Sequence, residues 1–61
     1  MVLLNVGDVI TISRSDGTQK TGVIAKLENR PGLTYRVDYY DGTHEWIDEP
    51  TILLNLITRE E

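Results

Sequence analysis

Four carboxylates, Asp41, Glu45, Asp48 and Glu49, crowd a short stretch of a 61-residue chain. Grouped carboxylates can divide acid and base roles or hold a divalent cation, but this spacing matches no cation-binding loop, and a solvated acidic face is the simpler reading. His44 and Asp38 are the beginning of an acid–base pair. A hydrolytic triad also needs a nucleophile, and Ser13 and Ser15 belong to another hairpin. With one histidine and no cysteine, disulfides and thiolate zinc sites are excluded. Gly17 and Gly22 are not followed by the Lys and Ser/Thr of a phosphate cradle. The residues therefore give no support to an enzyme, a cofactor or a metal.

What remains is non-covalent chemistry, and two sets of residues could supply it. Tyr39, Tyr40 and Trp46, interleaved with Asp41, His44 and Glu45, offer ring faces and negative charge to a basic peptide segment, methylated or unmodified. Arg14, Lys20, Lys26, Arg30 and Arg36 offer positive charge to a nucleic acid, with Tyr40 or Trp46 to stack a base. The net charge is -4, and its distribution favours the first set. Residues 1–37 hold five bases and three acids, whereas residues 38–61 hold seven acids and Arg59 alone. An acidic half disfavours a phosphate backbone and attracts a basic partner, although such charge also serves solubility. Self-association is a third reading, because Met1 to Leu4 and Ile52 to Ile57 carry more aliphatic surface than so small a core can hide.

The elements that must position these groups are short. One domain spans residues 1–61, and a chain of this length buries only about 60% of its unfolded surface. Asp16-Gly17, Pro31-Gly32 and Asp41-Gly42 mark turns. Between them lie β-rich runs over residues 8–14, 19–28, 33–40 and 43–48, and 52–58 reads as a fifth strand after Glu49-Pro50. Pro50 could instead open a helix over 52–61; the strand is preferred. Alternation places Ile10 and Ile12, then Val23, Ala25 and Leu27, then Tyr35, Val37 and Tyr39 on core faces, with Ile47 and a leucine from 53–56. The expected class is all-β: a small, strongly bent five-stranded barrel. No apolar run is long enough to span a bilayer and no leader is evident, so a cytoplasmic or nuclear location is expected.

Register in the third hairpin decides what faces water. A two-residue turn at Asp41-Gly42 would set Asp38 against Glu45 and Tyr35 against Asp48. A three-residue loop with Gly42 in a left-handed bulge sets Tyr35 beside Ile47, Arg36 beside Trp46 and Asp38 beside His44. The second register removes the like-charge clash and puts Trp46 outside, with Arg36 over its indole.

The pattern Gly7-Asp8, Ile10, Ile12, Gly22-Val23-Ile24, then Tyr35 through Gly42 and Glu45-Trp46-Ile47-Asp48 resembles the Tudor-like domains of the Royal superfamily, which are SH3-like β-barrels. Chromo-barrel and spindlin-type domains share much of it. The resemblance implies recognition of a methylated lysine or arginine by an aromatic cage, with Tyr39, Tyr40 and Trp46 matching its aromatic side. At the positions of the other cage aromatics stand Arg14, Ser15, Lys20 and Thr21. Cations there would repel a cationic ligand, so the favoured expectation is a non-enzymatic module that binds a basic peptide weakly.

Overall fold

Two copies of one tripeptide, Asp16-Gly17-Thr18 and Asp41-Gly42-Thr43, fold the chain back on itself in the same way. In each, the aspartate Oδ1 accepts the backbone N–H of the threonine at 2.9 Å and its hydroxyl at 2.6 Å. The glycines take φ of +86° and +91°, the left-handed region that only glycine enters without strain. Arg14 N–H donates to Thr18 C=O at 2.7 Å and Tyr39 N–H to Thr43 C=O at 2.8 Å, closing the two loops. The second closure is the expected three-residue loop with its glycine bulge.

The computed structural model describes residues 4–60. They form strands β1 (Val9–Ser13), β2 (Gln19–Asn29), β3 (Leu33–Tyr39) and β4 (His44–Asp48), a helix α1 (Glu49–Asn55) and strand β5 (Leu56–Glu60). All strand pairs are antiparallel, in the order β4-β3-β2-β1-β5. The protein is thus all-β in class, with one short helix. β4 and β5 are the outer strands, and among the described residues no ladder joins them.

The β3–β4 register pairs Tyr35 with Ile47, Arg36 with Trp46 and Asp38 with His44, as the bulged loop requires. The β2 expectation needs correction. Gly22 and Ile24 face inward rather than Val23 and Ala25, and a bulge between Ile24 and Lys26 then returns Leu27 to the core side. One extra residue reverses the alternation, which a strict period of two over 11 residues cannot anticipate. At Gly22 the backbone of β3 comes close to β2. A Cβ there would lie 2.5 Å from the Asp38 carbonyl oxygen and 2.8 Å from Tyr39 Cα.

The preferred strand over 52–58 also needs correction. Asp48 caps α1, its Oδ1 accepting Thr51 N–H at 3.1 Å, and Pro50 sits in the first turn, where proline loses nothing. A cap followed by proline outweighs the β-rich look of Ile52-Leu53-Leu54. The helix is needed because β4 and β5 lie at opposite ends of the strand order, and seven residues of helix carry the chain about 10 Å between them. Strand β5 therefore starts at Leu56 and pairs with β1, with a bulge at Ile57.

The core is Leu4, Ile10, Ile12, Ile24, Tyr35, Val37, Tyr39 and Ile52, flanked by Leu27, Leu33, Ile47 and Leu56. Each aliphatic member contributes about 2 kcal/mol on burial. Leu4, expected among the surplus leucines, is buried, whereas Leu53, Leu54 and Ile57 are exposed; Met1 to Leu3 lie outside the described residues. The buried carboxylate of Asp8 ties the two ends together. It accepts Asn5 N–H at 2.9 Å and the Arg59 guanidinium at 2.9 Å, 51 positions away. Among the described residues no helix is long and apolar enough to cross a membrane.

Candidate functional site

Antiparallel strands alternate residues that bond to their neighbour with residues that point away. Counting from the bonded pair Tyr39–Thr43, the main-chain groups of Glu45 and Ile47 face β3, while those of His44 and Trp46 face outward from β4. This outer edge borders an open groove of about 480 Å³. Its far wall is the end of β1 and the start of the turn that follows, Ile12 to Ser15, and its floor is closed by Thr51 and Asn55 of α1. Glu45, Trp46, Ile47 and Asp48 form the near wall.

One ion pair crosses the groove mouth. Arg14 reaches from the end of β1 to Glu45, with Nη1 donating to Oε2 at 2.7 Å and Nη2 lying 2.5 Å from Oε1. This two-pronged geometry pushes the Arg14 pKa above its ordinary value, the hydrogen bond to Glu45 being the main cause. The same guanidinium lies 6.0 Å from the Tyr39 ring centroid and donates to its hydroxyl at 3.3 Å. Burial, reinforced by the Glu45 charge, pushes the Tyr39 phenol up, while Arg14 opposes the shift.

On the other side of Tyr39, the Lys20 ammonium sits 4.9 Å from the ring centroid. It is also 3.1 Å from Asp41 and 3.2 Å from the Thr43 hydroxyl. Asp41 is held down to about 2, first by the Thr43 hydroxyl, then by Thr43 N–H and Lys20. A smaller groove of about 200 Å³ lies here, lined by Lys20, Tyr39, Tyr40 and Asp41 among others. Tyr40 is exposed, while Tyr39 is only 4% accessible.

Trp46 belongs to the opposite face of β4, next to Arg36 in register. The expected stacking partner needs correction: Arg36 Nε donates to Asp38 at 2.8 Å, two residues along the same strand face. Arg30, from the β2–β3 turn, covers the indole instead, its guanidinium 4.1 Å from the ring centroid, and it pairs with Glu28. His44 is exposed, and the Asp38 beside it is already engaged by Arg36.

No family model, curated protein or solved structure matches the chain. The site is therefore defined by its geometry.

That geometry divides the expected residues into groups. Tyr39, Asp41 and Glu45 meet Arg14 and Lys20 near the groove mouth, with Tyr40 beside them. His44 and Trp46 share the outer face with Arg36 and Asp38. Of the five cations expected to attract nucleic acid, Arg14, Lys20, Arg30 and Arg36 each hold a carboxylate, and Lys26 is exposed. Thr51 and Asn55 were not among the expected residues, because only helix α1 brings the two together. The cap signal Asp48-Glu49-Pro50 could have found them.

Three cations thus lie over two rings: Arg14 and Lys20 on Tyr39, and Arg30 on Trp46. Each is neutralised by a carboxylate, from Glu45, Asp41 and Glu28 respectively. In each case the cation beside the ring is the protein's own.

Proposed function

We propose that the protein is a non-enzymatic interaction module, a Tudor-like, SH3-like domain whose outer β4 edge takes an extended basic segment of a partner. The observation that carries this reading is the conjunction of outward main-chain groups at His44 and Trp46, which no strand among the described residues pairs, with a groove walled by Glu45 and Asp48. An extended peptide laid along such an edge gains main-chain hydrogen bonds, and its alternate side chains enter the groove. A lysine or arginine on that side reaches Glu45 and Asp48, exchanging with Arg14 for the Glu45 carboxylate.

The Tyr39 ring supports an unmodified segment over a methyl mark. Its face carries Arg14 and Lys20, and a methylated cation would have to displace them. The contact surface is small and partly charged, so binding in the micromolar range or weaker, reduced by salt, follows.

An amide-shift titration tests the reading. A short lysine- and arginine-bearing peptide should move the resonances of Ser13, Glu45, Asp48, Thr51 and Asn55, and an acidic peptide of equal length should not. Shifts confined to Lys26, Arg30 and Arg36 on adding a single-stranded oligonucleotide would favour a nucleic-acid partner instead.

A further inference from the structure

We infer that Arg30 is an intramolecular stand-in for an arginine of the partner, and that Trp46 with Glu28 is the subsite such an arginine occupies. This rests on the reading of β4 as the docking edge. It adds a chemical class of side chain, guanidinium rather than ammonium, and a place for it on the outer face.

Three observations support the assignment. First, the Arg30 guanidinium stacks 4.1 Å from the Trp46 ring centroid while Glu28 neutralises it. A planar, weakly hydrated cation over an indole beside a carboxylate is the arrangement that selects arginine over lysine. Second, Arg30 lies in the turn between β2 and β3, outside both strands, and its side chain is 50% exposed. Its anchors are an exposed ion pair and a half-exposed stack, both weak contacts. Release therefore costs little, and an incoming arginine restores the same contacts. Third, Trp46 has its main chain on the outer edge of β4, unpaired among the described residues, and its side chain on the outer face. A strand added to that edge places alternate side chains about 5 Å from the Trp46 side chain. The segment then carries two kinds of basic contact: one at Glu45 in the groove, and an arginine at Trp46.

Trp46 is the single tryptophan, so its fluorescence reports the exchange directly. The probes are N-acetylargininamide and N-acetyllysinamide, which are too small to pair as a strand and so test the subsite apart from the edge. The arginine probe should perturb Trp46 in Arg30→Ala about two- to fivefold more tightly than in the native protein, the equivalent of one exposed cation–π contact. The lysine probe should show a smaller gain. Glu28→Gln should weaken the arginine probe in the Arg30→Ala background, and Arg30→Lys should fall between native and Arg30→Ala. Equal affinity of the arginine probe for native protein and Arg30→Ala, each shown folded by its amide spectrum, overturns the inference. So does equal gain for the lysine probe. If a peptide shifts the groove amides while Trp46 stays silent in every variant, the subsite fails and the docking edge stands. If the probes behave as expected but no peptide moves the groove, the subsite stands and the docking edge fails.

Discussion

Arg14 and Tyr39 occupy the same position in two turns of matching hydrogen-bond geometry, and they touch. Each donates its N–H to the threonine carbonyl of its own turn, and each accepts at its carbonyl the N–H of the turn glycine, at 3.0 and 3.1 Å. Because β1 and β3 run the same way on either side of β2, both turns lie at one end of the sheet. The guanidinium of one turn can therefore lie over the ring of the other. This juxtaposition puts Glu45, Lys20 and Asp41 within reach and builds the mouth of the groove.

The turns and the close approach of β2 to β3 predict different costs for adding one methyl group. Gly17→Ala meets no atom within 4 Å but must hold a positive φ, and should cost about 1 kcal/mol in urea unfolding. Gly22→Ala must push back the β3 backbone, and should cost about 3 kcal/mol. A smaller loss at Gly22 than at Gly17 would contradict the packing described.

The Asp41 turn predicts a titration. Its carboxyl lies at about 2 against an ordinary value of 3.8, so it contributes stability above the ordinary value that is lost as pH falls through that window toward 2. Carbon-detected titration of the side chain should show ionisation persisting to about pH 2. Thr43→Val, which deletes the leading hydrogen bond, should return the midpoint toward 3.8. An unchanged midpoint in Thr43→Val would assign the shift to another source.

Tyr35 predicts an effect at the other end of the pH scale. Its hydroxyl donates to Glu49 at 2.9 Å, and burial, with that hydrogen bond adding, pushes the phenol up to about 12 from 10.0. A folded-state value above the unfolded one means stability is full below pH 10 and is lost as pH rises toward 12. Thermal melts of native protein and Tyr35→Phe should converge across that window, since the variant has no proton to lose there. Parallel curves would remove the Tyr35–Glu49 contact from the account.

Much of the fold was legible because turn chemistry is local. Asp-Gly and Pro-Gly dipeptides marked the hairpins, and the clash between Asp38 and Glu45 in the wrong register selected the right one. The β2 bulge was not legible, because the extra residue at Ala25 answers to the partner strand and leaves no mark of its own in the sequence. Helix α1 was hidden by β-branched and leucine content, although its cap and Pro50 stood in the sequence. For the site, Glu45 and Trp46 could be singled out from residue type, and the resemblance set Arg14 and Lys20 at cage positions, but nothing in the sequence joined Arg30 to Trp46. Arg14 and Glu45 are 31 positions apart, and no spacing rule joins them. Arg36 was the natural partner for Trp46 by register; Asp38, two residues along, claimed it and left the indole to Arg30.

Amide hydrogen exchange at β4 in the presence of a saturating lysine- and arginine-bearing peptide tests the docking edge most directly. The N–H groups of His44 and Trp46 point away from β3 and should exchange readily in the free protein, then become protected once a peptide strand pairs with them. Glu45 and Ile47, already bonded to β3, should change little. A peptide that binds while His44 and Trp46 exchange at their free-protein rates would show that the partner lies elsewhere.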